Sequence, residues 1–233
     1  MQLADFPTMG DAPVPGYLVQ TDDGENVLID TGVPRQLIGA YGKSPDVHIR
    51  MNEDDYVVNQ LARIGVGPED VGYLVCTHYD GDHAGNNDAF PSAELVVQRA
   101  HHDTAAAGSQ RFQGTRAQWD HPEHRFRFVD GDTELLPGIE LIETSGHVPG
   151  HQSVLVRLPE TGPVLLAIDA ITGSDQLDPD TREITQFDHE EDAVRASTRK
   201  LVDLAEREGV QLIVLGHDPE QWRSLRKLPE FYS

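Results

Sequence analysis

Along the chain, short apolar runs separated by turn residues predict strands at residues 16–20 and 26–29, joined by Asp22-Asp23-Gly24 into a hairpin that ends in Asp30-Thr31-Gly32. From Asp54 the period changes: Val57, Val58, Leu61 and Ile64 recur at helical spacing, and Gly65-Val66-Gly67-Pro68 stops that helix. A strand at 73–76 follows and runs straight into a loop rich in histidine and aspartate. Further apolar runs predict strands at 95–98, 126–129, 139–143, 153–157, 164–168 and 211–215. A second helical pattern begins after Asp188, read as its cap with Glu191 at the third position, and Val194, Leu201, Leu204 and Ala205 share one face. The stretch 105–124, with Gly108, Gly114 and Trp119, reads either as a helical flap over a substrate or as a long connection. With no internal repeat and no linker, one domain over residues 1–233 is expected. The strands fall into two groups, each followed by helix, which predicts two facing sheets with helices on their outer faces.

Composition narrows the function classes. At 38% hydrophobic residues, a chain of 233 residues can close a core, which excludes disorder. The 40 acidic residues against 18 basic ones give a net charge of -22, and a field of that sign repels nucleic-acid backbones and anionic membrane surfaces. No nucleic-acid partner is therefore expected. The acids are scattered along the whole length, as for a solvated acidic surface. Cys76 is the single cysteine, so no intrachain disulfide forms, and the start MQLADFPTMGDAP lacks the basic patch and apolar run of a secretory signal. No apolar stretch nears the roughly 20 residues that span a bilayer. The expectation is a soluble, cytoplasmic protein with no membrane partner.

The chemistry concentrates in Thr77-His78-Tyr79-Asp80-Gly81-Asp82-His83-Ala84-Gly85-Asn86-Asn87. His78, Asp80, Asp82 and His83 place four potential metal ligands within six positions directly after a strand. Residues 78 and 80 can point to one side while the turn at Gly81 sends 82 and 83 to the other, so one loop can serve two cations, which in such sites lie roughly 3.5 to 4 Å apart. Three more donors follow apolar strands: His147 in Ser145-Gly146-His147-Val148-Pro149-Gly150-His151, Asp169 after Leu165-Leu166-Ala167-Ile168, and His217 in Leu215-Gly216-His217-Asp218. Isolated His/Asp clusters arise by accident in a chain with 40 acids and 11 histidines, but strand ends are where scaffolds place sites.

The order H-x-D-x-D-H, Gly-His before Pro-Gly-His, an aspartate ending an apolar strand and a late Gly-His resembles the metallo-β-lactamase superfamily. Within it, Val14-Pro15-Gly16-Tyr17-Leu18, Val27-Leu28-Ile29-Asp30-Thr31-Gly32 and Gly216-His217-Asp218-Pro219-Glu220-Gln221 are similar to the N-acyl-homoserine lactonases, over about residues 14 to 231. The resemblance implies an αββα sandwich of two mixed β-sheets covered by helices. It implies two divalent cations, zinc first, one held by His78, Asp80 and His147, the other by Asp82, His83 and His217, with Asp169 bridging. It implies quorum quenching: a hydroxide between the cations opens the lactone ring, and Asp82 carries a proton to the leaving oxygen. A homodimer and a small ester or lactone substrate belong to the same implication, with Phe6, Met9, Tyr17 and Phe112 as candidate walls of an acyl groove. Asp30, a carboxylate after a strand, is expected to fix a ligand histidine's tautomer, and His151 to pack behind the ligands.

Two positions depart from the lactonase pattern. Where those enzymes carry His-x-His-x-Asp-His, the second position here is Asp80. Three aspartates and a hydroxide then balance two divalent cations, so the site is formally neutral where the usual one is positive by one unit. That predicts weaker oxyanion stabilisation, a faster enzyme on Asp80→His, and makes manganese or iron plausible beside zinc. Three residues after the bridging aspartate, where a tyrosine is usual, stands Thr172; Tyr79 is the alternative donor to the substrate carbonyl. The competing reading is a hydrolase of the same scaffold acting on a thioester or phosphoester.

Overall fold

A computed structural model of the protein describes residues 2–6, 10–41, 43 and 48–233, with side chains described from residue 12 onward within that set. Met9 and the side chain of Phe6 lie outside the described residues. The chain falls into two compact units, Met1–Val97 with Ala105–Phe128, and Gln98–Thr104 with Val129–Ser233.

In the first unit, β1 (Gln2–Phe6) and β2 (Gly10–Val14) pair antiparallel. The expected hairpin follows as β3 (Tyr17–Gln20) and β4 (Asn26–Ile29), with Tyr17 opposite Ile29 and Gly24 taking the turn at φ 88. The short β5 (Ile49–Arg50) closes the three-stranded sheet β2-β1-β5. Helix α1 (Val57–Ala62) ends earlier than its apolar period, because the chain leaves helical geometry before Gly65 at φ 77. Then come β6 (Tyr73–Val75), β7 (Glu94–Gln98), α2 (Arg99–Ala106), most of which belongs to the second unit, α3 (Arg116–Trp119) and β8 (Arg125–Val129). The mixed sheet runs β3-β4-β6-β7-β8, with β4, β6 and β7 parallel. Val27-Leu28-Ile29, Leu74-Val75 and Leu95-Val96-Val97 are buried on both faces, as central parallel strands must be.

In the second unit, β9 (Thr133–Leu136), β10 (Ile139–Glu143), β11 (Gln152–Leu158) and β12 (Gly162–Ile168) run antiparallel, and β13 (Leu212–Leu215) adds parallel to β12. Between β12 and β13 lies α4 (Glu191–Glu208), and α5 (Pro219–Ser224) closes the unit. Val194, Leu201 and Leu204 form the buried stripe of α4, and Leu201 and Leu204 pack with Leu155, Leu165 and Leu215. Each such side chain contributes about 1.5–3 kcal/mol by leaving water. The cap of α4 differs from expectation: Glu190, not Asp188, accepts the backbone N–H groups of Asp192 and Ala193 at 3.2 and 2.6 Å, because the helix starts at Glu191 and leaves Asp188 too far upstream. Among the described residues, no helix is long and apolar enough to cross a membrane.

Candidate active site

Both units send their chemistry out of the carboxyl ends of parallel neighbours: β4 into Asp30, β6 into His78, β12 into Asp169 and β13 into His217. In the first unit, Asp30 sits at φ 58, a left-handed conformation that aspartate tolerates better than most residues. There its carboxylate becomes a hub. Oδ1 accepts the Thr77 backbone N–H at 2.8 Å; Oδ2 accepts the Thr77 hydroxyl at 2.7 Å and His83 Nδ1–H at 2.8 Å. With its proton given to Asp30, Thr77 Oγ1 accepts from His78 Nδ1 at 3.1 Å. One buried carboxylate thus sets the tautomer of both histidines and leaves the lone pair of each on Nε2. Burial pushes the Asp30 carboxyl above its ordinary value, opposed by His83 and the bonds from Thr77.

The loop sorts its donors in pairs. His78 Nε2 lies 3.3 Å from Asp80 Oδ2, His83 Nε2 lies 3.8 Å from Asp82 Oδ2, and the two rings are 4.1 Å apart. The turn is closed by Asp80 O, which accepts from His83 N and Ala84 N at 3.0 and 2.9 Å. Its far end is strapped to the loop that follows β4: Asn86 Nδ2 donates to Thr31 O and Val33 O at 2.8 and 2.7 Å. Gly85 is required there, since a Cβ would come within 2.4 Å of Pro34 N.

In the second unit, β12 ends on Ile168 at φ 53, a strained conformation for a β-branched residue that costs about 1–3 kcal/mol. The bend turns Asp169 toward two histidines, one for each oxygen: Oδ2 lies 3.2 Å from His147 Nε2 and Oδ1 lies 3.0 Å from His217 Nε2. Gly146, before His147, lets α4 approach closely, because a Cβ would meet Val194 N at 2.4 Å. His151 is fully buried, and its Nε2 accepts the Asp169 backbone N–H at 3.3 Å. Its Nδ1–H therefore donates to Thr144 Oγ1 at 2.8 Å, in a relay that continues to Ser153 Oγ at 3.0 Å and Ala167 O at 2.8 Å.

Sequence reasoning missed two partners. Asp188, read as a helix cap, accepts His147 Nδ1–H at 3.3 Å while Thr185 N and Oγ1 hold its other oxygen at 2.8 and 3.0 Å. Burial pushes its carboxyl up, yet the bonds from His147 and Thr185 prevail and hold it below the ordinary value. The second is Arg111, whose Nε donates to Asp80 Oδ1 and Oδ2 at 2.7 and 3.0 Å and whose Nη2 also donates to Oδ2. The neutral charge sum for the Asp80 form left this guanidinium out.

The stretch 105–124 is neither plain flap nor plain connection. Its 3-10 turn Gln110–Thr115 and α3 brace the ligand loop from below: Thr115 Oγ1 donates to Tyr79 O at 2.6 Å, and the Tyr79 ring stacks on Trp119 at 4.7 Å with Phe112 edge-on at 6.4 Å. Tyr79 and Phe112 are 0% and 1% exposed, which places both in packing under the loop; Phe112 is a core residue, not an open groove wall. Burial also pushes the Tyr79 phenol well above its ordinary value. Thr172 is half-buried, and its hydroxyl and N–H both donate to Gln176 Oε1, at 3.0 and 2.9 Å. Tyr17 is half-buried on β3.

Comparison with known proteins agrees with this arrangement of strands. The profile of the metallo-beta-lactamase superfamily matches residues 9–217. An N-acyl homoserine lactonase from Bacillus sp. is 33% identical, covering 95% of this chain and 87% of its own. One from Azorhizobium caulinodans is 37% identical, covering 94% and 87%. Among solved structures, an N-acyl homoserine lactone hydrolase with the product N-hexanoyl-L-homoserine at its catalytic metal centre superposes with a TM-score of 0.87 at 29% identity, over 99% of this chain and 95% of that one. The two mixed five-stranded sheets with their helices match the expected metallo-β-lactamase fold. With a profile match over most of its length and relatives above 30% identity along nearly all of it, the chain belongs to the metallo-β-lactamase superfamily.

Proposed function

We propose that the protein is a dinuclear metal-dependent lactonase that opens the ring of N-acyl-homoserine lactones. The observation that carries the reading is the division of donors within each unit: His78 with Asp80 and His83 with Asp82 in one, and a separate Asp169 oxygen for each of His147 and His217 in the other. We assign these donors to two matched sets, His78, Asp80 and His147 for one cation and Asp82, His83 and His217 for the other, with Asp169 shared, as the family resemblance implies. The donor chemistry fits the group: the Nδ1–H of His83 and His147 is given to Asp30 and Asp188, so Nε2 is the ligating nitrogen, the usual arrangement for metal-binding histidines. Four imidazoles with three carboxylates suit zinc, with manganese or iron also compatible.

Bound, such cations supply Lewis-acid polarisation of a carbonyl and acidify water. The protein's part is orientation and proton movement. Asp30 and Asp188 hold rings against rotation, His151 holds the Asp169 backbone, and the strained Ile168 aims its carboxylate. Asp82, at 21% side-chain exposure against 16% for Asp80, is the loop carboxylate most open to substrate and the one we assign to carry a proton to the leaving ring oxygen. Thr172 would reach substrate only on releasing Gln176, and Tyr79 only on leaving Trp119. The lactone substrate itself is supported by the activity named for the relatives at 33% and 37% identity.

The test is elemental analysis of the purified protein with turnover of a short and a long acyl-homoserine lactone against a thioester and a phosphodiester. Two metals per chain with lactone opening far ahead of the others is the expected result. Two metals with faster thioester or phosphodiester cleavage would move the protein to another hydrolase of this superfamily.

A further inference from the structure

Asp80 stands where the lactonase pattern that this sequence resembles has a second histidine, and it brings its own counter-charge. Arg111 grips both its oxygens through Nε and Nη2, with the two side chains 29% and 16% exposed. A guanidinium fork on a carboxylate is directional as well as attractive, which a lysine would not reproduce. The fork is also firmly mounted. Arg111 belongs to the turn Gln110–Thr115, which is pinned to the ligand loop by the Thr115 bond to Tyr79 O, while Trp119 Nε1 donates to Phe112 O at 3.0 Å and fixes the other end of the brace.

We propose that Arg111 is a positioning residue that makes Asp80 a tolerable substitute for histidine at a two-cation centre. This rests on the dinuclear reading above. Arg111 does so in two ways. It occupies lone pairs on both Asp80 oxygens, so that the carboxylate cannot turn away from the fork to chelate a cation symmetrically. It also adds one positive unit to the neutral formal sum, returning the site to the charge of the His-x-His form. Asp80 and Arg111 are then one functional unit contributed by two segments 31 residues apart.

A double-mutant cycle tests the coupling, read as metal affinity by competition with a chromophoric chelator on the metal-loaded protein. Asp80→His alone leaves Arg111 facing the cations without its carboxylate and should weaken metal binding by about 10-fold or more. Asp80→His with Arg111→Met should recover most of that loss, because imidazole without arginine restores the charge balance. Arg111→Lys, which keeps the charge and loses the fork, should weaken metal binding by about threefold or more, an affinity equal to the parent's would overturn the orienting part of the proposal, and the melting temperatures of the metal-free variants show whether each one folds. Equal affinities for Asp80→His in the presence and absence of Arg111 would overturn the proposal. A parent protein with fewer than two metals per chain would instead overturn the dinuclear reading, whatever the coupling.

Discussion

Replacing Asp30 by asparagine changes almost nothing in shape and reverses the hydrogen-bond logic of the first unit. The carboxylate accepts three donors, Thr77 N at 2.8 Å, Thr77 Oγ1 at 2.7 Å and His83 Nδ1 at 2.8 Å, and an amide can accept only through its one oxygen. If that oxygen keeps Thr77 N, the amide NH2 faces the Thr77 hydroxyl and His83 Nδ1. The hydroxyl must then accept, and its proton turns to His78 Nδ1 at 3.1 Å. Both histidines are driven to the tautomer with hydrogen on Nε2, the nitrogen that must carry a lone pair to ligate. Loss of one partner of a ligating histidine costs about 10- to 100-fold in metal affinity, or about 1.4–2.7 kcal/mol, and here each cation loses one correctly poised histidine. Both steps of a chelator titration should therefore move. The metal-free protein should lose only about 2 kcal/mol, about 4–8 °C in melting temperature at this length, which separates a tautomer effect from collapse of the fold. Asp30→Asn binding both metals within about threefold of the parent would refute the hub.

The remaining expectations follow from the second unit. Asp169→Ala removes the carboxylate whose two oxygens face His147 and His217, so elemental analysis after dialysis should find neither cation; two metals per chain would refute the shared role. Asp188→Ala frees the His147 ring alone and should weaken one step of the chelator titration by about 10-fold while leaving the other in place; a uniform shift of both would count against the assignment. His151→Ala strands the Asp169 N–H and the Thr144 hydroxyl in the interior and leaves a cavity, so denaturant unfolding should show a loss of about 3–5 kcal/mol, and a loss under about 1 kcal/mol would refute its structural role.

The pattern of what the sequence revealed follows from the range of the interactions. The six longer strand predictions from 95–98 onward, together with 73–76, fall on β6 to β8 and β10 to β13, because a buried strand writes an apolar run into consecutive residues. β5 at Ile49–Arg50 and β9 at Thr133–Leu136 are too short or too polar to stand out from a loop. The candidate ligand positions were legible for the same local reason, since each lies in a loop that follows the end of such a strand. Of their partners, only Asp30 was expected, as a carboxylate following a strand, and the residues it meets were not named. Asp30 meets Thr77 across 47 positions, His147 meets Asp188 across 41, and Asp80 meets Arg111 across 31, so no spacing motif carries any of the three. Asp188 was worse than silent: an aspartate three residues before Glu191 imitates a helix cap, and only the placement of Glu190 shows that the cap is already taken. Arg111 changes more than a detail. Counting the charges of a ligand motif assumes that the motif contains every charge that matters, and Asp80 looks like a loss of one positive unit only until the segment that braces its loop is seen to return it. A departure at a ligand position is therefore to be judged together with whatever the fold sets against it, and for this chain the reversion expected to keep metal affinity is Asp80→His together with Arg111→Met.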